Sequence, residues 1–282
     1  EALAVTPASR ARQIELSLER LRWLGDLPGD RFVAVNIPQF RLWAVSGRGA
    51  GSQPLDMRVV VGATVNGTPV FVDSIEAIEF NPYWNVPPSI ASKELFPKLA
   101  RSSTYLASQD MELLGGAGLT GRELQRALAA GKARIRQKPG VLNALGRVKF
   151  VMPNRHNVYL HDTPARQLFE RSRRDFSHGC IRLERPLDLV EFVMRDLPAW
   201  DSARVADVVA AGRNLTVPIR KPVPVLILYS TVGAGPDGRP QFAHDLYGLD
   251  AKLDAVLSAE GRPFSAVAPR TRSGRSQDPG RH

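Results

Sequence analysis

Cys180 is the only cysteine among the 282 residues, and it stands in Ser177-His178-Gly179-Cys180. His161 lies upstream in Tyr159-Leu160-His161-Asp162-Thr163-Pro164. A thiol with an ordinary pKa of about 8.5 needs a histidine or another positive partner to become a good nucleophile at neutral pH. His178 is two residues from the thiol, so in an extended segment the two side chains share a face. His161 could reach the thiol from an adjacent strand. Gly179 permits a backbone angle that would help the amides near Cys180 point at a developing oxyanion. These residue types predict covalent acyl transfer. Zinc held by His161, His178 and Cys180, with water or Asp162 as the fourth ligand, is the chemical rival, but His-x-Cys does not match the common short ligand spacings.

The elements around these residues read as β. Apolar runs at Arg147–Met152 and Asn157–His161 precede the cysteine. Thr163-Pro164 opens a short helix, Pro186 starts another through Met194, and Asp201 can cap a third through Ala211. Earlier, β-texture covers Phe32–Val35, Arg41–Val45, Met57–Val61 and Thr68–Val72, with Asn66-Gly67 as a hairpin signal between the last two. A last strand covers Val223–Tyr229.

Residues 81–146 interrupt this pattern. The run Asn81-Pro82-Tyr83-Trp84-Asn85-Val86-Pro87-Pro88 is too proline-rich for a central strand. Helical segments follow over Ile90–Leu99, Thr104–Leu114 and, after the capping box Thr120-x-x-Glu123, to Gly131. The expectation is a helical insertion in a β domain. Tyr83 and Trp84 are by default packing aromatics, with a substrate-facing lid as the alternative.

Residues 1–30 are expected to form an N-terminal linker helix, with Ile14, Leu18, Leu21 and Leu24 on its packing stripe. Residues 258–282 read as a disordered tail. The first residues carry no targeting signal, and the absent initiator methionine reads as a fragment or processed form. No run approaches the roughly 18 apolar residues of a membrane span.

Composition, 43% hydrophobic and 23% charged, is that of a globular protein, and one cysteine excludes an intrachain disulfide framework. Much of the net charge of +10 is dispersed and some lies in the tail, with no basic recognition helix, so a polyanionic matrix fits it as well as any nucleic-acid role. Two dinucleotide-type glycine patterns occur, Gly116-Ala117-Gly118-Leu119-Thr120-Gly121 and Gly233-Ala234-Gly235-Pro236-Asp237-Gly238. Met111–Leu114 before the first does not read as a strand, and prolines make the second a turn, so both read as loops.

His161-Asp162-Thr163-Pro164 followed by Phe176-Ser177-His178-Gly179-Cys180-Ile181-Arg182 closely resembles the signature of the L,D-transpeptidases with a YkuD-type catalytic domain. Arg134-Ile135-Arg136-Gln137-Lys138-Pro139-Gly140, Asn143-Ala144-Leu145-Gly146 and Phe80-Asn81-Pro82 are similar to its large Gram-negative branch, which carries a capping subdomain. The resemblance implies a mainly β, α+β fold: a β-sandwich catalytic domain over 31–80 and 147–257 with the capping subdomain at 81–146. It implies Cys180 as nucleophile, His161 as general base, and His178 and Gly179 as the frame around the thiol. A backbone carbonyl, rather than Asp162 as a triad carboxylate, would orient the base.

Ser177, Arg182, Tyr159, Tyr83 and Trp84 become substrate-binding expectations, with Arg182 either anchoring a carboxylate or bracing the loop. The implied partners are tetrapeptide stems of peptidoglycan as donor and acceptor, and carbapenem inhibitors. No cofactor, metal, nucleic acid or membrane span is implied, and the implied location is the periplasm. The branch usually carries an N-terminal peptidoglycan-binding domain, for which there is no room before residue 10. A protein lysine or water could replace the acceptor stem, and a catalytically silent wall-binding module is the reading from another class.

Overall fold

The computed structural model describes residues 5–24, 29–47, 54–235 and 237–259. The chain begins with α1 (Pro7–Arg22), β1 (Arg31–Asn36), β2 (Arg41–Ser46), β3 (Leu55–Gly62) and β4 (Phe71–Phe80). It continues through β5 (Trp84–Asn85), α2 (Pro88–Ile90), a π-turn over Ala91–Leu95, α3 (Phe96–Arg101), α4 (Tyr105–Ser108), β6 (Met111–Leu114), α5 (Gly121–Ala129) and β7 (Arg134–Gln137). Next come β8 (Val148–Val151), β9 (Leu160–His161), β10 (Asp175–Ser177), β11 (Ile181–Leu183), α6 (Pro186–Met194) and α7 (Ser202–Ala210). The last elements are β12 (Leu215–Leu228), β13 (Val232–Ala234), β14 (Pro240–Phe242) and α8 (Leu249–Ala259).

Nine strands form one sheet in the order β10-β3-β11-β9-β8-β4-β12-β1-β2, and β2 also pairs with β3. The fold is the expected mixed one, mostly sheet with several helices. What a sandwich description omits is the β2–β3 seam, which closes eight of the strands into a ring. Val59 N–H bonds the Phe40 carbonyl (3.0 Å) and Val61 N–H bonds the Arg174 carbonyl (2.9 Å). β10 therefore succeeds β2 along one flank of β3, while β11 holds the other. Alternation along β8 and β11 turns Val148, Phe150, Ile181 and Leu183 into the core. Leu189, Val190, Val193 and Met194 of α6 and Val205 and Val208 of α7 join the same buried cluster. Asp201 caps α7, accepting from Arg204 N–H at 2.8 Å.

The Asn66-Gly67 hairpin is a misreading. β3 and β4 are separated in the sheet by β11, β9 and β8. Gly67 has φ −59° and ψ 143°, not the left-handed backbone that a tight two-residue hairpin needs. The connection instead makes a short helical turn over Thr64–Asn66, and β4 starts only at Phe71.

Residues 84–137 build their own three-stranded antiparallel sheet, β5-β7-β6, and their own cluster of Val86, Leu95, Leu124, Leu128 and Ile135. The insertion is thus not purely helical. Met111–Leu114, read as helix, pairs with Arg134–Gln137, because cross-strand pairing outweighs the helical propensity of a short Met-Glu-Leu-Leu run. The first glycine pattern therefore does follow a strand and lead to a helix, but β6 and β7 are antiparallel, so no dinucleotide-type βαβ unit exists there. The two crossings between insertion and main sheet are laced by asparagines. Asn81 Nδ2 donates to the carbonyls of Val208 (2.9 Å) and Arg213 (3.2 Å), and Asn143 Nδ2 to those of Pro82 and Lys138 (both 2.9 Å).

The stripe assigned to α1 is also corrected. Leu18 and Leu21 are 46% and 47% exposed, and Leu16 and Ser17 face inward instead. Polar contacts seat the helix: Gln13 Nε2 donates to the carbonyls of Thr231 (3.1 Å) and Ala243 (2.8 Å), and Arg20 pairs with Asp250. Apolar periodicity identified a helix here but not its buried face. Of the expected tail 258–282, α8 takes residues to Ala259, and the rest lies outside the described residues. Among the described residues no helix is long and apolar enough to cross a membrane.

Candidate active site

Strands β9 and β11 run parallel, with Leu160 opposite Ile181 and His161 opposite Arg182. Ile181 N–H bonds the Tyr159 carbonyl at 3.0 Å, which carries the alignment back to Cys180. Because side chains alternate, Leu160, Ile181 and Leu183 enter the core, and Tyr159, His161, Cys180 and Arg182 share the other face. The same row continues across the sheet: His161 lies opposite Lys149 on β8, and Lys149 opposite Glu79 on β4. Four strands thus set Glu79, Lys149, His161 and Arg182 side by side.

His161 is 4% exposed. Its Nδ1 meets the Asp162 carbonyl oxygen at 2.5 Å. A carbonyl can only accept, so Nδ1 carries the proton and Nε2 keeps its lone pair. The Asp162 carboxylate is occupied elsewhere, accepting from Arg147 N–H at 2.8 Å. A Cβ on Gly146, whose φ is +63°, would collide with that carboxylate, so the glycine admits it. Burial pushes the His161 pKa down to about 3, with Arg182 and Lys149 adding to the fall and the Asp162 and Leu145 backbones opposing it. The imidazole is therefore a neutral base.

The thiol donates to the Asn157 carbonyl at 3.8 Å. Burial raises its pKa, while hydrogen bonds from Tyr159 and the charges of Lys149 and Arg182 act in the opposite direction. Lys149 also lies 4.9 Å from the Tyr159 ring centroid and ion-pairs with Glu79 at 3.1 Å. Arg182 makes no ion pair among the described residues, and its buried Nε has no hydrogen-bond partner. It is a half-buried cation facing the thiol and the base.

The loop before the thiol is braced from within. Gly179 has φ +116°, a conformation that disfavours any side chain. Ser177 is buried, its hydroxyl donating to the Cys180 carbonyl (2.5 Å) and accepting from Gly179 N–H (3.1 Å). Ser177 thus braces the loop from within. It also occupies one of the two amides expected at an oxyanion, leaving Cys180 N–H without a partner among the described residues. His178 turns outward, its Nε2–H donating to Glu94 Oε1 at 2.7 Å. Glu94 belongs to the π-turn of the insertion, so this bond ties the Cys180 loop to the inserted unit.

Tyr83 and Trp84 make their contacts inside the insertion: Arg136 lies 4.4 Å over the Tyr83 ring, and Trp84 packs against the insertion's own cluster. Among the described residues no group of three or more His, Cys, Asp or Glu side chains is arranged to hold a metal ion.

Residues 30–225 match the family model described as the L,D-transpeptidase catalytic domain, YkuD. The chain belongs to this family. A Haemophilus influenzae protein provisionally named an L,D-transpeptidase is 30% identical over 247 residues, covering 86% of this chain and 49% of that protein. The chain thus spans about half the length of the curated relative it matches. Among solved structures, L,D-transpeptidase 3 from Mycobacterium tuberculosis is similar at 13% identity and TM-score 0.32, covering 71% of this chain and 61% of that one. An L,D-transpeptidase from Mycobacterium smegmatis gives 11%, 0.31, 71% and 58% for the same quantities.

Sequence reasoning missed the residues behind the Cys180 loop of this YkuD domain. Thr68 Oγ1 donates to the Gly179 carbonyl (2.8 Å) and accepts from Gly62 N–H (2.9 Å). Tyr247 OH donates to the Gly62 carbonyl (2.6 Å) and accepts from Thr68 N–H (3.1 Å). A Cβ on Gly62 would sit 2.7 Å from Thr68 N, so only glycine lets the 62–68 turn close. Thr68→Val is isosteric but removes both hydroxyl bonds and strands the buried Gly62 N–H. It should destabilise the fold by about 1–3 kcal/mol and lower kcat on the order of 10-fold by loosening Gly179. A thermal melt combined with steady-state rates checks this; unchanged values of both would refute the brace.

Proposed function

We propose that this domain is a peptidoglycan L,D-transpeptidase that forms 3–3 crosslinks between diaminopimelate residues. The reading is supported by the pairing of β9 with β11, which puts Cys180 on the same face of the sheet as His161, a neutral histidine whose Nδ1–H is fixed by a backbone carbonyl. In the first step Cys180 Sγ leaves the Asn157 carbonyl and attacks the carbonyl between diaminopimelate and D-Ala of a tetrapeptide stem. His161 Nε2 takes the thiol proton and delivers it to the departing D-Ala amine, leaving a thioester. The amine of a second stem then attacks the thioester, loses its proton to His161 and expels the thiol, which recovers that proton.

Cys180 N–H supplies an oxyanion donor, and Arg182, with no anionic partner of its own, is placed to bind a stem carboxylate. Tyr159 lines the same face. His178 and Gly179 shape the loop. The insertion serves as a cap, held to that loop through Glu94, and excludes water that would otherwise compete for the thioester. The net charge of +10 suits a polyanionic wall, and the periplasm is the fitting location.

A strained β-lactam carbonyl would acylate the same sulfur, so a carbapenem should add its mass to the protein. Incubation with purified disaccharide-tetrapeptide tests the acceptor: dimers joined between two diaminopimelates are expected. Tripeptide as the sole product would overturn the crosslinking assignment in favour of water as acceptor, and absence of both product and adduct would overturn the acyl-enzyme.

A further inference from the structure

A groove of about 970 Å³ lies between β2 and the β13–β14 hairpin, its lining including Gln39, Trp43, Asp56, Arg173, Gln241 and Phe242. This volume is at the upper end of the range for small-molecule sites, roughly 300–1,000 Å³. The groove explains the second glycine pattern, which the dinucleotide reading left over. Gly233 and Gly235 stand two apart on or just after β13, and each has an amide side chain lying against it. A Cβ on Gly233 would collide with Gln39 Nε2, and one on Gly235 would sit 2.8 Å from Gln241 Nε2. The missing side chains let two amides lie flat along one wall.

The donors and acceptors in this wall are oriented. Gln39 Oε1 accepts from Asn36 Nδ2 at 2.8 Å, which fixes the amide with its Nε2 as the free donor. Trp43 stands opposite Asp56 across the β2–β3 seam. Arg41, on the same face as Trp43, pairs with one oxygen of Asp56, and the other oxygen, Oδ1, is buried without a hydrogen-bond partner. Arg173 is likewise neutralised, by Asp175 (Nε to Oδ1, 2.8 Å; Nη2 to Oδ2, 2.9 Å). Phe242 has Arg10 4.4 Å from one ring face.

Aromatic surface beside planar amide, carboxylate and guanidinium groups, with the charges cancelled in pairs, suits a neutral, polyhydroxylated ring. The ring's C–H face stacks on indole, and its hydroxyl and acetamido groups bond the amides. A phosphate or other strong anion would meet the guanidinium groups of Arg41 and Arg173 already paired, and an apolar segment would strand the amides and the Asp56 oxygen.

The position agrees. From Arg173 to Ser177 is four residues, at most about 14 Å of chain, and Ser177 bonds the Cys180 carbonyl. The carbonyl under attack belongs to the third residue of the stem, and three extended residues span at most about 11 Å before the arm that joins them to the sugar is added.

We propose that this groove binds the amino-sugar glycan strand that carries the donor stem, in addition to the peptide site at Cys180. The inference rests on the reading of Cys180 as an acyl-transfer nucleophile on wall stems. The protein should use a tetrapeptide borne on an oligosaccharide with a KM about tenfold below that for the sugar-free tetrapeptide, the size one stacked ring supplies. Trp43→Ala and the milder Gln241→Ala should erase that difference while leaving the sugar-free rate, carbapenem adduct formation and the melting temperature unchanged. Chitotetraose, used as a sugar-only probe, should bind the wild type by calorimetry and bind both variants more weakly. Equal KM values for the two donors in the wild type, or an equal loss on both donors in Gln241→Ala, as a peptide groove would give, overturns the proposal. If no donor is turned over at all, the acyl-transfer reading fails, and chitotetraose titration of wild type and Gln241→Ala still decides the groove.

Discussion

Replacing Cys180 with alanine is expected to abolish transfer and carbapenem adduct formation together, lowering kcat by at least about 10⁴-fold, the scale on which loss of a covalent nucleophile is felt. The fold survives, because the thiol is linked to the rest of the protein by only a 3.8 Å contact to the Asn157 carbonyl and by Tyr159. Losing a weakly bonded, partly buried sulfur costs about 1 kcal/mol. The brace around position 180 also remains: Ser177 bonds the backbone carbonyl of that residue, and Thr68 bonds that of Gly179. Intact-mass spectrometry, product chromatography and a thermal melt measure the three parts. An adduct on Cys180→Ala would show that another group is the nucleophile. A collapsed melt would show that the thiol is part of the core.

What the sequence displayed depended on how local each interaction is. The nucleophile loop was legible because its chemistry is written in consecutive residues, and a glycine at φ +116° leaves its mark as a glycine. That a backbone carbonyl would orient His161 came only from the family resemblance; which one, that of Asp162, is given by the structure. Thr68 and Tyr247 were not legible. They act on Gly179 from 111 residues upstream and from near the C-terminus, through bonds that any threonine or tyrosine could make. Lys149 was equally silent, since only sheet register brings it beside His161. Leu18 and Leu21 have the periodicity of a buried stripe, yet α1 is seated by Gln13, Ser17 and Arg20, which hydropathy counts as outward-facing. Asn66-Gly67 carried a true turn signal, but a turn does not say that its flanking strands are neighbours. Met111–Leu114 had helical composition and became a strand because Arg134–Gln137 lay alongside it.

Acylation of Cys180 by a carbapenem is expected to be nearly independent of pH from about 5 to 8. An ordinary histidine would make it half-maximal near 6.5. Burial, then Arg182 and Lys149, bring the His161 pKa down to about 3, while burial lifts the thiol above its ordinary value. With the base lowered and the acid raised, the thiolate–imidazolium pair is a minor species, so the proton is expected to move as the sulfur attacks, by general-base catalysis. The rate then falls only as His161 itself is protonated, near pH 3.

Folding imposes a second pH dependence, of definite sign. Between pH 6.5 and 3 the unfolded chain protonates this histidine and the folded chain does not, so stability is full above 6.5 and declines as pH falls, by about 1.4 kcal/mol per unit. At pH 5 that loss is about 2 kcal/mol, and circular dichroism at each pH separates it from the rate. Arg182→Gln removes the cation that lies opposite His161 on the neighbouring strand. The His161 pKa should rise, moving the acid limb of the rate toward neutrality and shrinking the acid loss of stability. Adduct formation timed by mass spectrometry at each pH reads the first effect, and melts read the second. A wild-type profile half-maximal near 6.5, or an Arg182→Gln profile that coincides with the wild type, would remove the neutral, cation-flanked base from the mechanism.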